Sequence, residues 1–197
     1  MIKFSFTESQ VVDALRKARR GIARYIELMR CFPLVDVCRD PVFQCRYNGF
    51  YKLRQRQPSW YQSYYRLMQE LRDSKPSFSL VLDALRREVG KCEASFASKM
   101  VATIDSTKPV WDTFVLMNMG ISPLCSSDPR RFDKAKANYA RIEDWHRDLL
   151  DSENGRMVIG IFDGVVAEHC SVSNLKKVDF VLWQTRNNET GPQSSNS

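Results

Sequence analysis

The segment STKPVWDTFVLMNMGI, residues 106–121, holds one carboxylate in a position where it can be fixed rigidly. Asp112 follows Pro109 and Trp111 and precedes an apolar run that predicts a short helix. Aspartate is a preferred N-cap, because its carboxylate accepts hydrogen bonds from the unpaired amides of the first helical turn. A carboxylate fixed in this way is also a rigid catalytic group. The local sequence leaves both roles open.

A turn between two predicted helices precedes this carboxylate. The segment REVGKCE (87–93) holds Gly90 where helices over 77–88 and 94–104 must reverse direction. Such a turn exposes the amides at the start of the second helix, and their partial positive charge suits a phosphate. Lys91 and Lys99 add formal charge. The sequence therefore predicts a phosphate-binding turn close to a fixed carboxylate.

The combination over residues 77–121 resembles the helix-hairpin-helix DNA glycosylase superfamily. In that family a hairpin is followed by a Gly/Pro-rich loop, and Asp-Thr opens a helix that ends in Leu-Gly. PVWDTFVLMNMGI has this form, with Trp111 directly before Asp112 where the family usually has valine. The family's Leu-Pro-Gly-x-Gly hairpin is replaced here by a turn with one glycine, so no hairpin-bound metal ion or other cofactor is expected.

The resemblance implies excision of a base from double-stranded DNA. Asp112 matches the family's catalytic aspartate, a rigid carboxylate that stabilises an oxocarbenium-like transition state or orients water. Members that also cleave the strand carry a lysine at a position that corresponds here to Glu93 or its neighbour, and no lysine stands there. The implied enzyme is therefore monofunctional, monomeric and leaves an abasic site. Its small size resembles members that remove hypermodified bases, such as glucosylated hydroxymethylcytosine, from phage DNA.

Residues that would hold DNA are assigned from the hairpin and from interleaved aromatic and basic side chains. The predicted DNA-binding residues are Val89, Gly90, Lys91, Glu93, Ser95, Lys99 and Arg54. The predicted base pocket or wedge residues are Trp111, Tyr47, Asn48, Phe50 and Tyr51. Interleaving over 46–66 is typical of nucleic-acid surfaces, but the same spacing also forms a helix core whose arginines reach outward. Lys176 and Lys177 are further candidates for phosphate contact, and Asp179 is predicted to be a surface or paired residue.

Composition limits the alternatives. The 197 residues are 43% hydrophobic and long enough for a real core, and a net charge of +7 favours a polyanionic partner. Six scattered cysteines without a CxxC pair, and two histidines, argue against a zinc site and against a nucleophilic triad. The sequence shows neither a signal peptide nor a run of ~20 apolar residues, which predicts a cytoplasmic protein without a membrane span.

Hydrophobic periodicity, interrupted by prolines, predicts a mostly α fold. Helices are expected over 8–31, 41–56, 59–74, 77–88, 94–104, 112–119, 129–151 and 173–185, and 156–168 fits a strand or a short helix. Thr7 with Gln10 predicts a capping box, and Asp40 before Pro41 predicts a capped helix start. Residues 1–186 are assigned to one all-helical glycosylase-like domain and 187–197 to a disordered tail.

Two other functions are compatible with the sequence. A non-catalytic helical DNA-binding protein would keep the hairpin and the positive charge and would use Asp112 only as a cap. A helical protein-interaction module would carry the charge incidentally. Its DNA affinity would be weak and would lack the steep salt dependence that phosphate contacts produce.

Overall fold

A computed structural model describes residues 5–185, which are mostly helical, as predicted. This range holds nine α-helices, two 3-10 helices and no β-strand. The α-helices are α1 (Glu8–Cys31), α2 (Pro41–Tyr51), α3 (Pro58–Leu71), α4 (Phe78–Val89), α5 (Ala94–Ile104), α6 (Thr113–Asn118), α7 (Arg131–Asp151), α8 (Glu153–Val165) and α9 (Asn174–Leu182). None of these helices combines the length and the apolar composition needed to cross a bilayer. The predicted tail lies outside the described residues.

The predicted helix starts at α1 and α2 are confirmed by their caps. Thr7 Oγ1 accepts from Gln10 N at 3.3 Å, and Gln10 Oε1 accepts from Thr7 N at 2.9 Å, which completes the capping box. Asp40 accepts from Phe43 N at 2.9 Å, with Pro41 in the first turn. These side chains satisfy amides that the helix cannot pair internally, so each helix begins at a defined residue.

Two helices differ from their predicted form. The second helix ends at Tyr51 and not at 56, because Lys52 adopts a left-handed backbone with φ 55°. The ambiguous segment after 153 is helix α8, capped by Ser152, whose hydroxyl accepts from Gly155 N at 3.0 Å. Gly155 packs so closely behind α7 that an added Cβ would lie 2.0 Å from the Leu149 carbonyl oxygen. A larger residue there would force the two helices apart.

Two clusters of buried side chains form the core. The first cluster lies among α2–α6 and the early part of α7, and it includes Tyr47 and Met100. The second cluster packs α1 against α8, α9 and the end of α7, and it includes Ile22. Phe50 and Trp183 pack against both clusters. The long helices α1 and α7 contribute to both clusters and so link one to the other.

An ionic triad is buried between α7 and α9. Lys176 Nζ lies 2.9 Å from Asp179 Oδ2, and His146 Nε2 lies 3.0 Å from Asp179 Oδ1. All three side chains are at most 1% exposed. His146 Nδ1 faces the carbonyl oxygen of Ile142 at 2.9 Å, so both ring nitrogens face acceptors. Burial alone would raise the pKa of Asp179, but the Lys176 ammonium and the His146 hydrogen bond outweigh it and hold this pKa below its ordinary value.

The prediction that Lys176 and Lys177 contact phosphate is wrong. Lys176 is fully buried, and its Nζ lies 4.6 Å from the centre of the Trp183 ring. Lys177 is 5% exposed and pairs with Asp163 at 2.6 Å. Both lysines are enclosed because α9 is buried around nearly its whole circumference. Asp179 is paired, which is one of its two predicted states.

Candidate functional site

Asp112 is fixed at the start of α6 by contacts on both sides. Its Oδ1 accepts from Phe114 N at 2.9 Å, so the predicted N-cap is present. Just before it, Trp111 N donates to Ser98 Oγ of α5 at 2.8 Å, and the Trp111 ring lies parallel to Phe78 at 6.4 Å. The Asp112 side chain is half-buried, and its Oδ2 takes no hydrogen bond within the described residues. One carboxylate oxygen is therefore committed to the fold and the other is available.

A second charged group, Lys99 of α5, lies within electrostatic reach of Asp112. It is half-buried, and its Nζ lies 5.0 Å from the centre of the Phe96 ring. Burial lowers the pKa of Lys99 to about 8; the Asp112 carboxylate opposes this shift and the nearby Lys52 adds to it. The site thus combines a fixed carboxylate with two lysines, of which Lys99 has a lowered pKa. Lys99 was predicted as a DNA contact, and the structure places it beside the predicted catalytic aspartate.

The loop from 52 to 57, between α2 and α3, carries basic residues and an unusual backbone. Lys52 and Gln55 have φ values of 55° and 59°, in the left-handed region that residues other than glycine rarely adopt. Each such residue costs of order 1 kcal/mol, and such strain tends to concentrate at functional sites. Arg54 and Gln55 are exposed, whereas Leu53 is buried and anchors the loop. Gln55 was not among the predicted site residues. The glycine-free polar stretch between two helices is the sequence signal that could have identified it.

The hairpin turn between α4 and α5 has the predicted glycine. Gly90 has φ 67° and its N–H donates to the Arg86 carbonyl at 2.9 Å, which ends α4. Lys91 is exposed, and Val89 and Ser95 are half-buried. Glu93 makes no side-chain cap at the start of α5, but the Cys92 sulfur accepts a hydrogen bond from Ala94 N. The turn therefore has the predicted glycine and an exposed lysine, whereas Ala94 at the start of α5 is buried.

Glu93 must be removed from the predicted DNA contacts. It is 8% exposed, and its Oε2 accepts from Arg56 Nη2 at 3.1 Å. The Arg56 guanidinium lies over the rings of Phe96 at 4.9 Å and Trp60 at 5.5 Å. A carboxylate in this position would repel a phosphate, so Glu93 does not contact the DNA backbone.

A cavity of about 380 Å³ opens beside Glu93, at the start of α5. Its charged side chains come from three separate parts of the chain: Arg56, Glu93 and Arg131. Its apolar wall includes Trp111, Leu116 and Ile121. Trp111 and Thr113, the two neighbours of Asp112, both line this cavity. Trp111 is 8% exposed, so it serves at once as a core residue and as part of the cavity wall.

Burial removes Tyr47 and Tyr51 from the wedge and pocket candidates. Tyr47 is fully buried, and its hydroxyl shares a hydrogen bond with the Tyr64 hydroxyl at 2.8 Å. Tyr51 is 4% exposed, with its hydroxyl 3.3 Å from Thr103 Oγ1. Burial raises the pKa of both phenols. These aromatics form the helix core, which was the alternative interpretation of their spacing.

The other two residues of this group are also occupied by internal contacts. Asn48 Oδ1 accepts from the Tyr65 hydroxyl at 2.7 Å. Phe50 is half-buried and packs against Tyr25 and Trp183, with ring centres 5.7 and 6.2 Å away. Neither side chain points freely into solvent, so both are corrected from wedge residues to packing residues.

Comparison of the chain with models of known protein families, with curated proteins and with solved structures finds no match. Within residues 5–185, no group of three or more His, Cys, Asp or Glu side chains is arranged to hold a metal ion.

Proposed function

We propose that this chain is a monofunctional DNA glycosylase that hydrolyses the bond between a modified or damaged base and its deoxyribose. The observation that carries the proposal is the Asp112 carboxylate, with Oδ1 tied to the helix start and Oδ2 unpaired among the described residues. A carboxylate held still in this way stabilises positive charge on the sugar as the glycosidic bond breaks, without reorganising first. The products are a free base and an intact abasic site.

Positive groups around Asp112 support a DNA strand as the substrate. Lys99 lies within electrostatic reach of Asp112 and of Lys52, and Arg54 is exposed on the loop that Lys52 begins. Lysine and arginine at such positions neutralise the phosphates that flank a flipped nucleotide. The exposed Gln55, held in a left-handed backbone, is the residue that we propose enters the duplex in place of the flipped base. The enzyme would act as a monomer in the cytoplasm, without a cofactor.

The proposed enzyme does not cleave the strand, because Glu93 stands where a lysine would be needed for a Schiff base. The lowered pKa of Lys99 makes this a strict test, because a larger share of its amine is neutral near pH 8 than for an ordinary lysine. Borohydride should trap no covalent complex between the protein and DNA. A trapped complex that disappears in Lys99→Met would overturn the monofunctional assignment.

The primary test is base release from duplex DNAs that contain normal, uracil, alkylated, oxidised or glucosylated hydroxymethylcytosine bases. Strand breaks should form only after alkali, and Asp112→Asn should reduce their rate by about 100-fold or more, as for loss of a preorganised charge. Asp40→Asn is the matched control, since Asp40 caps α2 with the same 2.9 Å bond to a backbone N–H. Equal rates in wild type and Asp112→Asn would refute a catalytic role for Asp112.

Two non-enzymatic functions are the alternatives. A non-catalytic DNA-binding protein is favoured by the cap itself, which accounts for Asp112 without any chemistry. It predicts no base release and unchanged DNA affinity in Asp112→Asn. A protein-interaction module is favoured by an open groove of about 540 Å³ between α1 and the end of α8. Val12 and Val165 in this groove are 50% and 59% exposed. It predicts weak DNA affinity with little salt dependence.

A further inference from the structure

The cavity at the start of α5 contains more hydrogen-bonding groups than the surrounding residues use. The Nε atoms of Arg56 and Arg131 are both buried and have no acceptor within the described residues. Glu93 commits only Oε2 to Arg56, and its Oε1 has no hydrogen-bond partner among those residues. Leaving a buried donor unpaired is destabilising, so unused groups of this kind are uncommon in a purely structural cluster.

The remaining wall of the cavity is apolar and partly aromatic. Trp111 presents its ring, with Leu116 and Ile121 beside it. The volume of about 380 Å³ falls in the ~300–1,000 Å³ range of small-molecule sites. A flat apolar wall with a few convergent polar groups at one edge suits a planar ring.

The charged groups of the cavity limit the kind of ring that it can bind. Guanidinium groups only donate hydrogen bonds, and an ionised carboxylate only accepts them. A phosphate or carboxylate ligand would face the buried charge of Glu93, and a cationic ligand would face two arginines. A neutral ring with neighbouring carbonyl and amino groups meets both kinds of partner. Cytosine donates from its amino group to a carboxylate, and guanine accepts from arginine, in the pairings common in protein–DNA complexes.

We propose that this cavity binds an amino-oxo nucleobase, of the cytosine or guanine class, with Glu93 accepting from its amino group and Arg131 donating to its oxygen or ring nitrogen. Trp111 and Thr113, the chain neighbours of Asp112, line this cavity, whereas the Asp112 side chain does not. The identity of this ring as the base that is excised rests on the proposed function. The affinity of the cavity for a free nucleoside does not.

The test is calorimetric titration of the full chain with deoxycytidine, deoxyguanosine, thymidine and deoxyadenosine. Deoxycytidine or deoxyguanosine should bind at least about tenfold more tightly than deoxyadenosine, which has no carbonyl group. Glu93→Gln and Arg131→Met should each weaken that binding about tenfold or more. Arg131 makes no side-chain hydrogen bond in the described residues, so its methionine variant should fold even if Glu93→Gln does not. Arg141→Met, an exposed residue of the same helix, is the control and should bind like wild type.

The nucleobase assignment of the cavity and the proposed function can fail separately, and the two failures give different results. No binding of any nucleoside, or equal binding by wild type and Arg131→Met, overturns the cavity assignment, even if DNA bases are released. Selective binding that depends on Arg131, without base release from any DNA, upholds the cavity and refutes the glycosylase. Base release with an unchanged KM in Arg131→Met would show that the excised base lies elsewhere.

Discussion

Replacing Asp179 with asparagine should destabilise the protein by about 3–5 kcal/mol, the cost of breaking a buried ion pair on one side. Asparagine keeps the size of the side chain but removes its charge, which leaves the ammonium of Lys176 without an anion. Lys176 and Asp179 are both 0% exposed and 2.9 Å apart, so water cannot replace the lost partner. His146 loses an ionic acceptor at the same time.

The burial of the triad sets the size of this effect. Lys176 is 0% exposed, so an ammonium left there without its partner carries the full cost of its burial because water cannot screen it. Removing both charges, in Lys176→Met with Asp179→Leu, should recover most of the loss, because apolar groups tolerate the same site. Glu143→Gln is the matched control. Glu143 also pairs with a lysine, Lys108 at 2.9 Å, but the two side chains are 34% and 39% exposed, so about 1 kcal/mol or less is expected.

Urea unfolding followed by circular dichroism at pH 7 measures these free energies. A loss below about 1 kcal/mol for Asp179→Asn would refute the charged triad. The pKa of Asp179 is lowered in the folded state, so its charge adds stability above the unfolded pKa of about 3.9. This contribution is lost as the pH falls through the lower folded pKa. The difference between wild type and Asp179→Asn should therefore narrow only below about pH 4.

Three further outcomes follow from local geometry. Gly155→Ala should lower the free energy of unfolding by at least about 2 kcal/mol, because the added Cβ clashes with the Leu149 carbonyl. Gly160→Ala in the same helix should raise it by about 0.5–1 kcal/mol, because a Cβ there meets nothing within 4 Å. Equal effects in urea unfolding would contradict this packing. Asp112→Ala should cost about 1 kcal/mol of stability and Asp112→Asn only a few tenths, because asparagine also caps helices. Iodoacetamide should alkylate Cys125 before Cys92 in peptide mass spectra, since hydrogen bonds lower the pKa of the exposed Cys125 and burial raises that of Cys92.

The local elements could be predicted because their signals are local. A capping box at Thr7 and an Asp-Pro start at Pro41 fix helix ends through groups within four residues. The same reasoning failed at Lys52, where a left-handed residue ended α2 early without a glycine to mark it. The sequence pattern could not distinguish a strand from a helix after Ser152, because a short apolar run fits both the two-residue period of a strand and the helical period.

The residues of the candidate site also differ in whether their contacts are local in sequence. Asp112 could be identified because its cap depends only on the adjacent helix. Glu93 was misassigned because its partner, Arg56, lies 37 residues earlier in the chain, and no local pattern connects the two. The same limit applies to Lys176, which looks like a surface lysine until Asp179 and the surrounding rings enclose it. Charged residues that are buried by distant segments are the ones that sequence reasoning places in solvent.

The packing partners of α1 set the order in which the two core clusters can form during synthesis. Its main partners besides α2 are α8 and α9, at the other end of the described range. The ribosome releases the apolar face of α1 well before α8 and α9, which cover it. The first core cluster, which runs from the end of α1 to the early part of α7, can meanwhile assemble. The second cluster can therefore close only after the first has been synthesised, and nascent chains that stop before α8 would present α1 to chaperones.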